Sequence, residues 1–569
     1  MRHIAGGPAY DDRVSSAVAV ADRQPAAPPA DLDSRLARLR PSLPAGFWWG
    51  WGVPLLITAV GLVLRLFRIT RPSGKVFDET YYASDAWSLL HHGVELNKDG
   101  HAAFVAHPPL GKWMIALGEA MYGNNELGWR FAAAIVGSIS ILLIARIARR
   151  MFRSNVLGCV AALLLSLDGL EFVQSRTSML DIFLMFWVLA AFGCLVLDRD
   201  DGRYRIARRL ELGERLGFLG VRPWRLACGL CLGAAAATKW NGIFWIPVFL
   251  LLAVWWDAGA RRVAGQPNAV GNALVYDGLL ALVPFFVLAA VVYTVSWTGW
   301  FLSDGVHAYD HDKYVHAGQS WIAHDFAVLH GWWAYHQEMY GFHTHLAAAH
   351  PYLSNPWGWL LLARPVAYYY QTPGGCGAKS CSQEVLGIGT PLIWWASIPA
   401  LLAVAWRMLG RFDWRAAAIM LTFLAGYVTW IFDESQVVDK CHPADDCHRT
   451  MFLFYLLPDV PFMVLALTMA IGMLLATRAV RTVADIFDTH AASYSGLTRV
   501  LVQLPVRRIA AATAVAVYLG GVTWNFGYFY PVLTGQIITN EQWQDRMWLD
   551  VCNADPKRDQ HHESAPCWI

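Results

Sequence analysis

The sequence predicts an all-α polytopic membrane protein, and three observations predict it. Hydrophobic residues make up 56% of the 569-residue chain and charged residues only 15%, against about 25% charged in an average soluble domain. Apolar runs of about 20 residues recur along the chain, the length a helix needs to cross a ~30 Å hydrocarbon layer. The arginines are sorted by position, clustering at alternate ends of those runs. A net charge of +2 with no basic stripe or nucleic-acid motif speaks against nucleic acid as a partner.

Residues 1–46 are rich in Ala, Pro, Asp and Arg. They lack the basic start and apolar centre of a cleaved leader and are expected to form a disordered cytoplasmic tail. Residues 47–523 then form one transmembrane domain of about eleven helices. The spans are expected near 47–68, 127–146, 155–174, 179–197, 224–238, 241–256, 276–298, 388–406, 414–432, 451–476 and 506–523. The fifth and sixth are short and separated by "TKWNG".

Orientation follows from the rule that cytoplasmic loops carry excess Lys and Arg. Arg146, Arg149, Arg150 and Arg153 share one connection, and residues 198–225 carry eight arginines. Arg261 and Arg262, then Arg407, Arg411 and Arg415, then Arg478, Arg481, Arg499, Arg507 and Arg508 follow. With eleven spans every cluster falls on the side of the N-terminus, which is therefore expected to be cytoplasmic. The external side receives the loops 69–126, 299–387 and 433–450 and a C-terminal tail, 524–569. Long loops of this kind are usually functional.

Six of the ten cysteines lie in those external pieces and pair by proximity as Cys376–Cys381, Cys441–Cys447 and Cys552–Cys567, as an oxidising compartment allows. Cys159, Cys194, Cys228 and Cys231 fall in expected helices and read as small apolar residues. Gly229 and Gly233 beside them suggest a close helix-packing face.

Chemistry-bearing residues gather at the external ends. Asp78 and Glu79 stand side by side in "KVFDETYYASDAW" just after the first span. A carboxylate partly removed from water there would have a raised pKa, suited to taking a proton from a hydroxyl. An isolated acid pair, however, is more often an ordinary wet loop. On a helix the two would point about 100° apart, one to substrate and one to protein. "AHPPLGKWM" sets His107 and Lys112 around a helix start near Pro109, either as an anion-binding terminus or as a rigid turn. Arg130 stands near the start of the second span.

The hairpin between spans three and four carries Asp168, Glu171, Gln174, Arg176 and Asp181, and Lys239 lies in the next hairpin. Ionisable residues at such depths mark functional pathways by default, and two cations with no matching local run of acids suit a lipid-linked phosphate. The alternative is that they snorkel to headgroups. Asp433, Glu434, Arg449 and Tyr455 approach the same surface. The 299–387 loop holds nine of the nineteen histidines, without a compact quartet at zinc-like spacing, so no metal site is expected.

Taken in order, the Asp-Glu pair after the first span, "HPPLGKW", "RF", "QSRTSMLDIF", "TKWNGIF" and "RTMFLFYLLP" resemble the protein O-mannosyltransferases of the GT-C glycosyltransferase superfamily. The motifs run from about Phe77 to Phe244, with a further segment at 449–458. The resemblance implies a GT-C-type fold with catalytic loops on the external, periplasmic side. It implies transfer of mannose, with inversion, from a polyprenyl- or dolichyl-phosphate-mannose donor to Ser or Thr of a translocating protein. The protein translocon is a candidate meeting place with that acceptor.

By motif, Asp78 would activate the acceptor hydroxyl, Glu79 would support it, and Arg176 and Lys239 would bind the donor phosphate with Gln174 nearby. His107 and Arg130 fall in motifs without an assigned role. No cofactor beyond the lipid-linked co-substrate, and no divalent metal, is implied. Two departures, "FVAHPPLGK" without a preceding acid and a 299–387 loop too short for a multi-repeat domain, fit the bacterial, actinobacterial-type branch.

Rival readings are a GT-C enzyme acting on a lipid or glycan acceptor and a transporter. The chain shows no internal repeat and its unusual charges avoid the midplane, unlike transporters. A membrane scaffold would leave Asp78, Arg176 and Lys239 without a role. Mass spectrometry of the unreduced protein is expected to find the three external cysteine pairs bridged; free thiols there would refute the pairing.

Overall fold

The computed structural model describes residues 32–97, 99–101, 103–104, 106–302, 320–346, 350–434, 449–476 and 506–549. Cys441, Cys447, Cys552 and Cys567 lie outside these residues.

Among the described residues, nine helical stretches are long and apolar enough to cross a membrane. Two of the eleven expected spans are shorter. The segment near 155–174 splits at Asp168, whose Oδ1 accepts the Glu171 amide at 3.0 Å and so starts a new helix; a side chain that caps competes with continuation of the helix. The segment near 224–238 is the 16-residue helix Pro223–Thr238.

After a first helix, α1 (Leu32–Leu39), the first span continues from a π turn into α2 (Val53–Leu66). Two shorter helices of the first loop follow, α3 (Glu79–His92) and α4 (Leu110–Tyr122). The bundle proceeds through α5 (Glu126–Phe152), α6 (Asn155–Ser166), α7 (Gly169–Gln174), α8 (Leu180–Glu211), α9 (Pro223–Thr238) and α10 (Trp245–Val263). A further stretch, α11, covers Ala269–Ser296. Helix α12 (Trp321–Thr344) belongs to the long loop, and α13 (Pro391–Arg411), α14 (Trp414–Glu434), α15 (Val460–Leu475) and α16 (Val506–Leu533) complete the bundle.

Helix α5 is the hub, packing against α2, α4, α6 and α8. Of the described stretches long enough to cross a membrane, the one that contains α15 is the most enclosed, with eleven of the sixteen α15 residues buried, as expected of a helix apolar on every side. The packing face foreseen at Gly229 and Gly233 is present. A Cβ on Gly229 would come within 2.0 Å of the Pro284 carbonyl oxygen, and one on Gly233 within 2.7 Å of that of Ala289.

Three segments at the termini and between the expected spans carry ordered structure. The tail expected over 1–46 is ordered from Leu32, because Leu39 of α1 buries itself against Ile206, Ala207, Leu219, Ala260 and Ala264. The arginine-rich 198–225 segment is largely helix, α8 running through to Glu211. Beyond 523 the chain is not simply a tail: α16 continues to Leu533, and β3 (Ile537–Thr539) joins a sheet with β1 (Val366–Gln371) and β2 (Cys381–Gly387), antiparallel in the order β1-β2-β3. The Cys376–Cys381 bridge closes the β1–β2 hairpin.

The arginine-rich end of the bundle is pinned by a buried charge network. Arg222 and Arg225 both bind Asp198, at 2.9 and 2.8 Å, Arg225 reaches Asp257 at 2.6 Å, and Arg261 binds Asp277 at 2.7 Å. Removing one partner of such a network leaves an uncompensated buried charge. Asp198→Ala is therefore expected to cost about 3–5 kcal/mol, read as a lowered Tm of the purified protein; an unchanged Tm would show the network to be dispensable.

Candidate active site

Asp78 and Glu79 diverge because of the residue before them. Phe77 adopts a left-handed backbone, φ +48°, uncommon for any side chain larger than Gly. It is held there by aromatic packing: Tyr368 of β1 stacks on it at 5.1 Å, and Phe452, Phe454 and His350 meet its edges at 6.1, 5.8 and 6.0 Å. Helix α3 then begins at Glu79 with Asp78 at its N-cap.

Glu79 turns inward and is fully buried. It accepts from Arg130 Nε and Nη2 at 2.8 Å each, from the Val76 amide at 2.9 Å and from the Ser178 amide at 3.0 Å. The other Arg130 donors go to the carbonyls of Ile69, Pro72 and Gly74, at 3.0, 3.0 and 2.9 Å. All five guanidinium N–H groups are thereby used.

Asp78 turns the other way, into a cavity of about 1120 Å³ walled also by Tyr82, Asp85, His107, Lys112, Lys239, Asn241, His343, Arg449 and Tyr455. The Tyr82 hydroxyl lies 3.4 Å from its Oδ2. Burial, reinforced by the nearby Asp181 and opposed by Lys239 and the Tyr82 bond, raises the Asp78 pKa to about 6. Burial likewise raises Asp85 to about 6 against the pull of Lys112. His107 falls well below its ordinary value through burial and the cations Lys239, Lys112 and Arg449, so its imidazole is neutral.

Lys239 is presented by the extended residue that ends α9. Its ammonium binds the buried Asp181 at 2.9 and 3.1 Å and sits 4.4 Å from the Tyr455 ring centre. Arg449 donates to the His343 carbonyl at 3.0 Å and lies over Trp430 at 5.3 Å. Lys112, buried at the start of α4, pairs with Glu95 and lies 3.6 Å from Asp85. His107, at the entrance to α4, stacks on His343 at 5.2 Å. Among the described residues no group of three or more His, Cys, Asp or Glu could hold a metal ion.

Two expected phosphate ligands are not brought to this cavity. Arg176 donates to the carbonyls of Leu64, Arg65, Phe67 and Arg68 at 2.8–3.1 Å, where it satisfies the orphan acceptors that end α2. Gln174 is buried and donates to the Tyr368 hydroxyl at 2.6 Å. Sequence reasoning also missed Tyr82 and Asp85, although they stand four and seven residues after Asp78, the spacing of one helix face. Asn241 and His343 gave no signal of their own.

Comparison with known proteins identifies the family. A family model described as "Dolichyl-phosphate-mannose-protein mannosyltransferase" matches residues 55–301, and one for the "C-terminal four TMM region of protein-O-mannosyltransferase" matches 328–552. The chain belongs to the protein O-mannosyltransferase family.

Curated family members named polyprenol-phosphate-mannose–protein mannosyltransferase align over nearly the whole chain. That of Mycolicibacterium smegmatis is 36% identical, covering 88% of this chain and 92% of its own. The Mycobacterium tuberculosis protein is 35% identical, covering 88% and 91%, and the Corynebacterium glutamicum protein 30%, covering 90% and 95%. The fold is similar to the S. cerevisiae protein O-mannosyltransferase Pmt1-Pmt2 complex bound to the sugar donor, with TM-score 0.63 and 14% identity over 90% of this chain and 93% of that one. The two chains therefore share a fold, and the all-α membrane bundle expected from the sequence is present.

Glu79→Ala leaves Arg130 buried beside a missing carboxylate and is expected to cost about 3–5 kcal/mol of stability. Thermal unfolding checks this; unchanged stability with lost turnover would instead make Glu79 a participant in the chemistry.

Proposed function

We propose that this chain transfers mannose from a polyprenyl-phosphate-mannose donor to Ser or Thr hydroxyls of secreted or membrane proteins, with Asp78 as general base. The observation that carries the reading is that Asp78 shares one cavity with Lys239 and Arg449. The relatives' names supply the donor and acceptor classes.

The acceptor oxygen attacks the anomeric carbon while its proton passes to Asp78. The bond from that carbon to the phosphate oxygen breaks on the opposite face, so the configuration inverts. Polyprenyl phosphate leaves with one more negative charge than it carried as the diester. No acid is needed at that oxygen, because Lys239 and Arg449 stabilise the charge as it develops. Asp181 orients the Lys239 ammonium, and the neutral His107 adds no competing cation. The sorting of the arginines supports a cavity on the external face of the cell membrane with a cytoplasmic N-terminus. Acceptor chains would meet it on leaving the protein translocon.

The assay uses membranes containing the protein, polyprenyl-phosphate-mannose and a Ser/Thr peptide. Asp78→Asn is expected to lower kcat by at least about a hundredfold; normal turnover would refute the base assignment. A base works only when ionised, so kcat/KM should rise with pH through about 6 and fall below it; a flat profile there would count against Asp78. Lys239→Ala should raise the KM for donor, whereas Arg176→Ala should lower Tm and leave that KM within about twofold.

A further inference from the structure

Asn241 is 7% exposed and lines the cavity, two residues after Lys239, yet neither its Nδ2 nor its Oδ1 has a hydrogen-bond partner. The Nδ1 of His107, in the same wall, is also buried without one. Such groups are rare in folded proteins and each calls for a reason. Leaving one unmatched costs its full desolvation, about 1–3 kcal/mol, so a fold that keeps three in one cavity wall is organised around a polar occupant.

The chemistry of that occupant can be narrowed. A phosphate offers only acceptors, and would use Nδ2 while leaving Oδ1 stranded. A hydroxyl is both donor and acceptor, and two neighbouring hydroxyls match both atoms of a carboxamide at once. The neutral His107 likewise presents a ring nitrogen that a hydroxyl can satisfy in either tautomer. Asn241 shares the cavity with both Lys239 and Asp78, and a sugar that is to be transferred must lie between the donor phosphate and the base. The χ2 torsion of Asn is broad, so the carboxamide turns into the cavity at little cost when such a partner arrives.

We infer that Asn241 is a specificity-determining residue that binds adjacent hydroxyls of the donor's hexose, with His107 as a second contact. The inference rests on the mannosyl-transfer reading and adds which residue recognises the sugar as distinct from its phosphate.

Two probes separate the sugar from the phosphate: polyprenyl-phosphate-mannose as substrate and polyprenyl phosphate as competing product, each with the full-length protein in membranes. Asn241→Ala is expected to raise the KM for the mannosylated donor about tenfold, as loss of one to two hydrogen bonds predicts, while product inhibition stays within about twofold. The same substitution should leave Tm unchanged or higher, because it removes an unmatched buried amide rather than a made bond. Asn241→Leu, closer in size, should repeat the pattern if a cavity left by Ala disturbs the fold. Equal weakening towards both probes, no weakening towards either, or a fall in Tm alongside lost affinity would overturn the assignment. Absence of mannosyl transfer by the unaltered protein would instead defeat the underlying reading, and the binding of the two probes would still report on Asn241.

Discussion

The site depends on one buried ion pair. Arg130 and Glu79 face each other with neither exposed, and between them they gather the segment from Ile69 to Glu79 onto the start of α5 and the turn before α8. A buried pair is worth keeping only when its remaining donors and acceptors are also satisfied, and here all five guanidinium N–H groups and both carboxylate oxygens are used. With Glu79 fixed as the first residue of α3, the aromatic cage around Phe77 sets which way Asp78 points. The neighbouring carboxylates therefore differ in solvation and partners. One is a structural anchor and the other stands in a cavity wall with a raised pKa.

The same division runs through the cations. Arg176 and Arg130 spend their planar forks on carbonyls and a carboxylate, where several fixed donors suit a chain end. Lys239, a compact charge on a flexible stem, reaches the cavity and is held by Asp181 and the face of Tyr455. The small β-sheet belongs to this arrangement although it lies outside the bundle. Tyr368 of β1 stacks on Phe77 and accepts from Gln174, so the long loop and the end of α16 brace the turn that aims Asp78.

At the other end of the bundle the charges do different work. Arg222, Arg225 and Arg261 are paired with Asp198, Asp257 and Asp277, so these arginines lock α8, α9, α10 and α11 together. Separating a charge lock at one end from a cavity at the other leaves the cavity walls free to be shaped by loops.

The sequence by itself determined the membrane class, the helical bundle and the family, and it singled out Asp78, Lys239 and Arg449, which line one cavity. Those properties are local: apolar run length, the sorting of arginines and short motifs are each readable over a few residues. It also contained the α3 face of Asp78, Tyr82 and Asp85, since helical spacing is a local rule. Tertiary structure alone decided that Arg176 caps α2 while Lys239 enters the cavity, although both occupy charged hairpins of similar composition. It also decided that residues near 366, 381 and 537 pair as strands and that Asn241 keeps an unmatched amide in the cavity wall. A side chain's partner across a hundred residues or more depends on which backbone ends and carbonyls packing brings beside it, and no local pattern encodes that.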